Sequence, residues 1–320
     1  MKSFYYDIII SNTFIEGTIK MVNKMNTKVI AISYAILAAI FYGLGAPFSK
    51  GLLEHLSPYL LSSLLYFGAG IGMSLIVLFN KKQRAVPLSK SFGKKDIIYI
   101  VLMIVLDVIA PILLMLGLLS TNASTASLLN NFEIVFTSLI AMIFFKEIIG
   151  KKMWIAVTLI VVSGMILTLE DFNTFHISLG AVLVLLASLA WGLENNCTRM
   201  LSHSNPLYVV IIKGLGSGLG SLIIALSLNE FSGVWYYILL ALLLGFVAYG
   251  MSLYFYISAQ RHLGASRTSA YYAIAPFAGA IFSFLLLNEA LSIVFVVAFV
   301  IMSFGTYLAI RENREHNQEV

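Results

Sequence analysis

Apolar runs of about 20 residues recur along the whole chain and alternate with short polar segments. A run of this length crosses the hydrocarbon core of a bilayer when it forms a helix. Ten such runs can be drawn, at residues 29–49, 59–79, 97–119, 122–145, 152–169, 178–199, 207–228, 234–258, 267–287 and 291–310. The longest connection, residues 80–96, leaves no room for a soluble domain between runs. The pattern therefore predicts an all-α polytopic membrane protein with ten transmembrane helices.

The fourth run is unusual because polar residues interrupt its middle. On a helix at about 100° per residue, bulky apolar side chains such as Phe132 and Val135 fill one sector. The opposite sector holds Ala126, Ser127, Asn130, Asn131, Glu133, Thr137, Ser138 and Ala141. An apolar back and a polar front predict a membrane helix that faces lipid on one side and a polar cavity or partner helices on the other.

Composition and charge support the same class. Hydrophobic residues make up 60% and charged residues 11% of the sequence, with a mean hydropathy of +0.93, whereas soluble domains carry roughly 25% charged residues. The net charge of +5 resides in short loops, where membrane orientation explains it, so no nucleic-acid partner is expected. Cys197 is the sole cysteine, which excludes an intrachain disulfide and a cysteine-based metal cluster.

The basic residues also predict an orientation. If the N-terminus is cytoplasmic, all of the 20 lysines and arginines except Lys50 and Lys213 belong to the cytoplasmic side. We therefore expect a multi-pass protein of the cell membrane with both termini in the cytoplasm, residues 1–28 as an N-terminal segment and residues 311–320 as a tail. Met25 opens a typical start, MNTK, so residues 1–24 are either a real extension or the result of a start codon assigned too early.

The chain also contains an internal duplication. Residues 58–72, PYLLSSLLYFGAGIG, align with residues 206–220, PLYVVIIKGLGSGLG, without gaps. At a constant offset of 142, Ala123, Ser124, Ser127 and Glu147 pair with Ala265, Ser266, Ser269 and Glu289. Each half has five spans, an odd number, so the repeats 29–171 and 178–310 are expected to be inverted in the membrane. Many secondary transporters have this architecture, with sites near the midplane between the halves.

The segments NASTASLL…KEIIG and GASRTSAYYAIAPF…NEALS, placed in two five-span halves, resemble the EamA branch of the drug/metabolite transporter superfamily. The resemblance covers roughly residues 29–310, and its loose motifs are more specific for fold than for substrate. It implies a central cavity between the halves that opens to either side in turn, and export as the commoner role. One departure is Ile134, which aligns with Pro276 of the second copy, so a polar helix centre stands where the second copy has proline.

Four ionisable residues fall inside predicted spans: Asp107, Glu133, Glu194 and Lys213. Each costs at least about 2 to 3 kcal/mol in hydrocarbon unless it is paired, protonated or hydrated. Asp107 lies four residues before Pro111, whose ring is expected to kink the third span. Asp107 is then either a ligand or proton site, or a hydrogen-bonding residue that holds the kink.

Glu133 shares its sector with Asn130 and Thr137. A central carboxyl group suits a residue that exchanges a proton with the substrate, and an interhelical polar clamp is the alternative. Asn130, Asn131 and Glu133 are not repeated in the second copy. We therefore expect substrate specificity to begin with these three.

The remaining charged candidates form two pairs. Glu194 and Lys213 are close enough in depth to form a salt bridge, although Lys213 can instead extend toward the membrane interface. Lys50 and Arg199 are repeat mates at the ends of the first and sixth spans. They are candidates for a gate or an anion contact, with interfacial anchoring as the simpler reading.

Three aromatic residues complete the predicted substrate site: Tyr272, Trp191 and Tyr42. Tyr272 aligns with Asn130, and Trp191 aligns with Tyr42. Aromatic rings with polar tips suit a cavity for organic substrates, whereas membrane proteins also place Tyr and Trp at interfaces. Together with Asp107, Asn130, Asn131 and Glu133, these aromatics are the residues expected to contact substrate.

The sequence thus predicts a secondary transporter that moves a small organic metabolite, such as an amino acid, out of the cell by alternating access, with protons as expected partners. It has no GxxxxGK[ST], HExxH or GxSxG motif, so neither an enzyme nor a cofactor is expected. The alternatives are a drug or toxic-cation exporter and a non-transporting membrane protein. GLGSGLG at 214–220 lies within a span and reads as helix packing, which leaves a homodimer open.

Overall fold

A computed structural model describes residues 28–79, 92–146, 150–171, 176–201, 204–231, 233–263, 268, 271–290 and 292–316. The helices are α1 (Lys28–Leu52), α2 (Pro58–Phe79), α3 (Asp96–Ser120), α4 (Ala123–Leu129), α5 (Phe132–Phe145), α6 (Lys151–Thr168), α7 (Leu179–Met200), α8 (Pro206–Ser227), α9 (Trp235–Leu244), α10 (Ser252–Leu263), α11 (Ala275–Leu287) and α12 (Ile293–His316). A π-helical turn, Gly245–Met251, joins α9 to α10. Two short antiparallel strands, β1 (Leu169–Asp171) and β2 (His176–Ile177), lie between α6 and α7. Residues 1–27, including the expected start region, lie outside the described residues.

Within the described ranges, nine helical segments are long and apolar enough to cross a membrane. Three of them are composite. The span Lys28–Leu52 is interrupted by a turn at Leu44, α4 with α5 forms the span Ala123–Phe144, and α9 with most of α10 forms the span Trp235–Ala259. The shorter helix α11 is also apolar. The predicted class, an all-α polytopic membrane protein, is confirmed, while the count of ten and the inverted repeats stay predictions.

Helices from the two ends of the chain pack against each other throughout the described structure. The most extensive contacts join α3 to α7, α2 to α8, and α6 to α12, followed by those of α2 with the π-helical turn, α5 with α7, and α4 with α11. Serine hydroxyls reinforce these contacts by donating to carbonyl oxygens across the helix pairs, as Ser63 does to Gly218 at 2.8 Å and Ser163 does to Ala298 at 2.7 Å. The outward faces carry exposed apolar residues such as Leu219 and Val300, which suits contact with lipid.

Glycines let α8 lie close to two helices at once. An added Cβ on Gly70 of α2 would lie 2.7 Å from the backbone nitrogen of Leu215, so these backbones are nearly in contact. On the other side of α8, a Cβ on Gly216 would lie 2.6 Å from Ile104 of α3, and one on Gly220 would lie 2.5 Å from Val108. The small residues that the sequence assigns to packing thus separate into a face toward α2 and a face toward α3.

The fourth predicted span is not one continuous α-helix, as the apolar run had suggested. It divides into α4 and α5 at Asn130 and Asn131. The amides of Asn131, Glu133 and Ile134 bond to carbonyls three residues earlier, at 3.0 to 3.1 Å, which is the pattern of a 3₁₀ turn. The pattern of apolar residues could not predict this turn. A proline is the usual sequence signal of a helix break, and the second copy has one at Pro276, whereas the first copy has Ile134 at that position.

The contact at Gly70 leads to a stability prediction. Gly70→Ala should destabilise the protein by about 1 to 3 kcal/mol, because the new methyl group must push α2 away from α8. The free energy of unfolding can be compared in a mild detergent titrated with a denaturing one.

Gly51→Ala is the matched control, since a Cβ there meets no atom within 4 Å and alanine favours a helix by up to about 1 kcal/mol. Equal stability of the two variants would contradict the close α2–α8 contact.

Candidate functional site

A cavity of about 440 Å³ lies among the helices, and residues from both halves of the chain line it. Its polar and aromatic lining consists of Tyr42, Tyr66, Glu133, Thr137, Ser138, Trp191, Glu194, Asn195, Lys213, Tyr249, Ser252, Tyr256 and Tyr272. Glu133 lies near the middle of its span, Ala123–Phe144. The volume is in the range of pockets that hold small organic molecules.

Lys213 of α8 forms a buried charge cluster at one side of this cavity. Its Nζ lies 3.1 Å from Asp107 Oδ2 on α3 and 2.9 Å from Glu194 Oε2 on α7. Both carboxylates are essentially inaccessible, with exposed fractions of 0% and 1%, while the lysine side chain is 19% exposed. One ammonium group therefore serves two carboxylates and joins three helices.

Neutral side chains complete the hydrogen bonding of this cluster. Tyr66 donates its hydroxyl to Asp107 Oδ1 at 2.9 Å, and Trp191 Nε1 donates to the Tyr66 hydroxyl at 3.4 Å. Thr198 donates to Glu194 from the next turn of α7. These bonds fix the orientation of both carboxylates, as buried charges require.

Glu133 occupies a different part of the cavity wall and has amide and hydroxyl neighbours. Asn195 Nδ2 donates to Glu133 Oε1 at 2.6 Å, and the same nitrogen lies 3.3 Å from Thr137 Oγ1. With the described residues Glu133 forms no ion pair, in contrast to Asp107 and Glu194. Its negative charge is positioned by α7 without being neutralised by a base.

Tyrosines form a continuous aromatic wall in the cavity. Ring centroids are separated by 4.9 Å between Tyr256 and Tyr272 and by 5.7 Å between Tyr272 and Tyr42. The series continues from Tyr42 to Tyr249 at 6.2 Å and from Tyr249 to Tyr66 at 5.6 Å. The π-helical turn carries Tyr249, and such turns are frequent at functional sites. We call these five residues the tyrosine wall.

The structure divides the residues that the sequence proposed as substrate contacts. Glu133, Tyr42, Trp191 and Tyr272 line the cavity. Asp107 is not among the lining residues and instead lies behind the wall, bonded to Tyr66 and Lys213. α3 continues as one helix through Pro111, and the kink expected there stays a prediction.

Asn130 and Asn131 lie apart from the main cavity. Asn131 is turned toward α12, where its Nδ2 lies 3.4 Å from Met302 Sδ, and it also bonds the Leu128 carbonyl at 3.2 Å. Asn130 borders a separate small cavity of about 20 Å³. Two features explain this: Asn131 is about 200° from Glu133 on a regular α-helix, and the 3₁₀ turn at Asn130 and Asn131 changes the rotation of both side chains relative to α5.

The outer candidates Lys50 and Arg199 do not line the cavity either. Lys50 Nζ donates to the carbonyls of Leu118 and Thr121, the second at 2.9 Å, and so caps the end of α3. Arg199 lies exposed near the end of α7. Beside the Lys50 cap, Glu289 accepts from the backbone amides of Ala123 and Ser124 at 2.7 and 3.0 Å and caps α4.

Other residues of the site carried no distinct signal in the sequence. Tyr66, Tyr256 and Tyr249 belong to a residue type that membrane proteins also place at interfaces. Tyr249 differs from the other two, because the repeat marks it as the partner of Asp107 and as part of the aromatic surface. Asn195 could have been found from its position beside Glu194, although the neighbouring Asn196 instead bonds backbone carbonyls of Gly192 and Thr137.

Within the described ranges, no group of His, Cys, Asp and Glu side chains is arranged to hold a metal ion. A cavity inside a bundle of membrane-spanning helices, lined by charged and aromatic side chains, defines a class of protein, the multi-pass membrane transporters.

The family is shown by comparison with known proteins. The chain belongs to the EamA-like transporter family, whose sequence model matches residues 29–169 and again residues 178–311. The family consists of transporters, in line with the prediction that the chain is not an enzyme. This membership confirms the resemblance seen in the sequence.

One curated relative agrees with this assignment, and one solved structure shares the fold. A protein named "Uncharacterized transporter" from Methanothermobacter thermautotrophicus strain Delta H is 29% identical over 289 residues, covering 85% of this chain and 84% of the relative. A protein of known crystal structure superimposes with a TM-score of 0.61 at 18% identity, covering 89% of this chain and 95% of the other. The second similarity shows the shared fold.

The charge cluster predicts a strong effect of removing Lys213. Lys213→Met should lower the free energy of unfolding by about 3 to 5 kcal/mol, because two buried carboxylates lose their common counter-ion. Adding Glu194→Gln to this variant should restore part of the loss. Detergent-denaturation curves of the purified variants measure both changes.

Lys94→Met, at an exposed lysine, controls for the loss of a positive charge as such. A Lys213→Met protein as stable as this control would contradict the role of Lys213 as the counter-ion of the cluster.

Proposed function

We propose that the protein is a secondary transporter that exports a small organic metabolite across the cell membrane by alternating access. In this proposal residues 29–171 and 178–310 are two inverted five-helix repeats, and both termini are cytoplasmic. The observation that carries it is the cavity of about 440 Å³ near the middle of the spans, lined from both halves by charged and aromatic residues. Sites at this depth between repeats are typical of alternating-access carriers.

The two ends of the cavity support a state that is closed toward the outside. The lining extends to Thr137, Tyr256 and Ile310, which lie toward the cytoplasm in the proposed orientation. At the opposite end, Lys50 and Glu289 make the helix-capping contacts described above. We therefore interpret this arrangement as an inward-facing conformation.

The charges of the site support coupling to protons. Asp107, Glu133 and Glu194 provide three carboxyl groups near one base, Lys213. In a medium of low dielectric constant, excess negative charge must be compensated by a proton or by a positive charge on the substrate. Exchange of one for the other would drive export against a substrate gradient.

An amino acid and a drug or toxic cation are the two candidate substrates. The specific observation in favour of a cation is the tyrosine wall beside an unneutralised Glu133, since aromatic faces attract organic cations. Competition by lipophilic cations distinguishes the two.

Transport itself is tested by flux of labelled solutes into vesicles that contain the purified protein. Amino acids, nucleosides, sugars and cationic drugs should be compared after a thermal-shift screen selects those that stabilise it. A folded protein that moves no solute under an imposed pH gradient would favour the non-transporting alternative.

Glu133→Gln should abolish transport or remove its dependence on the pH gradient, because the amide can occupy the same space and cannot exchange a proton. Flux should fall by tenfold or more, while the elution profile in detergent stays that of the parent protein. Vesicle flux at several internal pH values measures the effect.

Glu54→Gln removes a carboxylate at an exposed position and should leave flux unchanged. Parental flux with parental pH dependence in Glu133→Gln would refute the role assigned to Glu133.

Glu289→Gln should loosen the closed outer end. Losing a charged cap at a helix N-terminus costs about 1 kcal/mol, which corresponds to about a fivefold shift between the inward and outward states. In a Cys197→Ser background, Ala46→Cys provides a buried reporter close to the small cavity. A membrane-impermeant maleimide added outside should then react several times faster in the Glu289→Gln protein, and an unchanged rate would count against this closure.

A further inference from the structure

The balance of charges around the cavity bears on the class of substrate. We infer that the transported molecule is an aromatic or otherwise apolar amine that carries a single positive charge and no carboxylate, with its ammonium group at Glu133 and its apolar body on the tyrosine wall. This inference rests on the proposed function and specifies which compounds the same cavity accepts.

Lys213 is the one base among the described residues that line the cavity. Its ammonium group is already within 3.1 Å of Asp107 and 2.9 Å of Glu194. A carboxylate on the substrate would have to share Lys213 with these two and would enter beside their negative charges. Like charges at such distances repel strongly in a desolvated site. Anions and amino acids are therefore disfavoured by the carboxylate that they carry.

Glu133 lacks a positively charged partner among the described residues, whereas Lys213 has two negatively charged ones. Its carboxylate faces the cavity, with one oxygen 2.6 Å from Asn195 Nδ2 and no base paired to it in the described structure. Asn195 also lies 3.3 Å from Thr137, so this carboxylate is positioned before any substrate arrives. A substrate ammonium group would supply the missing positive charge and form a charge-assisted hydrogen bond.

The tyrosine wall can hold the rest of the substrate. Tyr42 and Tyr272 line the same cavity as Glu133, and their rings lie 5.7 Å apart. A molecule held at Glu133 by its ammonium group therefore meets aromatic faces within its own length. Those faces attract a cation and pack against an apolar body. A volume of about 440 Å³ accommodates an arylalkyl amine, and a bare ammonium ion would leave most of it unfilled.

The test uses matched compounds that differ by one functional group. Phenethylamine is phenylalanine without its carboxylate, tyramine is tyrosine without its carboxylate, and 3-phenylpropionate carries the carboxylate alone. Trp191 lines the cavity, whereas the other two of the three tryptophans, Trp154 and Trp235, lie on exposed surface. With Trp154→Phe and Trp235→Phe, the fluorescence of Trp191 reports binding directly in the purified full-length protein.

Each amine should bind at least tenfold more tightly than its amino acid, and 3-phenylpropionate should not compete. Glu133→Gln should reduce the advantage of the amine to less than threefold, and Glu133→Asp should retain most of it, which provides a charged variant if the amide variant does not fold. Glu54→Gln should match the parent. Amino acids that bind as tightly as the amines, amines that do not bind at all, or an unchanged advantage in Glu133→Gln would overturn the inference.

Flux measurements separate this inference from the proposed function. Vesicle transport of amino acids without transport of the amines would overturn the substrate class and leave the transporter intact. Amine binding that Glu133→Gln abolishes, combined with no flux of any solute, would contradict the transporter and leave the charge preference of the cavity standing. Transport of amines in exchange for protons would support both the substrate class and the transporter.

Discussion

The cluster of Lys213 with Asp107 and Glu194 is the interaction on which the middle of this protein depends. Hydrocarbon cannot solvate these three charges, so they persist only because α3, α7 and α8 bring them together. The glycines of α8 make that approach feasible, since Gly216 and Gly220 leave room for the side chains of Ile104 and Val108 on α3. Close helix packing and charge compensation are thus two requirements met by one helix.

Departures from regular helix place the other groups of the cavity. The 3₁₀ turn at Asn130 and Asn131 directly precedes Glu133, and the π-helical turn carries Tyr249. Backbone carbonyls at the first of these sites are satisfied by side chains, because Ser188 donates to Leu129 at 3.3 Å and Asn131 donates to Leu128. Irregular backbone at membrane depth is tolerated where protein groups provide such partners. This accounts for Asn131 as a structural residue of the turn.

The features that the sequence predicted are those that leave a clear pattern of span length or that are costly to bury in a membrane. Span lengths and composition were enough for the class, and the family model later matched the two halves that the repeats suggested. Glu133, Glu194 and Lys213 stood out because a charge in an apolar run is costly wherever it points. That Lys213 also reaches Asp107 depends on the rotations of α3 and α8 about their axes, which uniformly apolar helices do not encode. Tyrosines and asparagines carry a smaller penalty, so Asn195 and Tyr256 were not distinguishable beforehand.

The two parts of the charged site differ in a way that bears on the proposed cycle. Lys213 is held by two carboxylates whose remaining oxygens are bonded to Tyr66 and Thr198, so moving it would leave several buried groups without partners. Glu133 accepts a hydrogen bond from the side-chain amide of Asn195 and faces the cavity. Its partner can therefore be exchanged at lower cost. In the proposed alternating-access cycle, we therefore expect the fixed cluster to keep its helices together in every state. We propose that the charge that changes partner between proton and substrate is the one at Glu133, because among these carboxyl groups it is the one that is accessible from the cavity and forms no ion pair with the described residues.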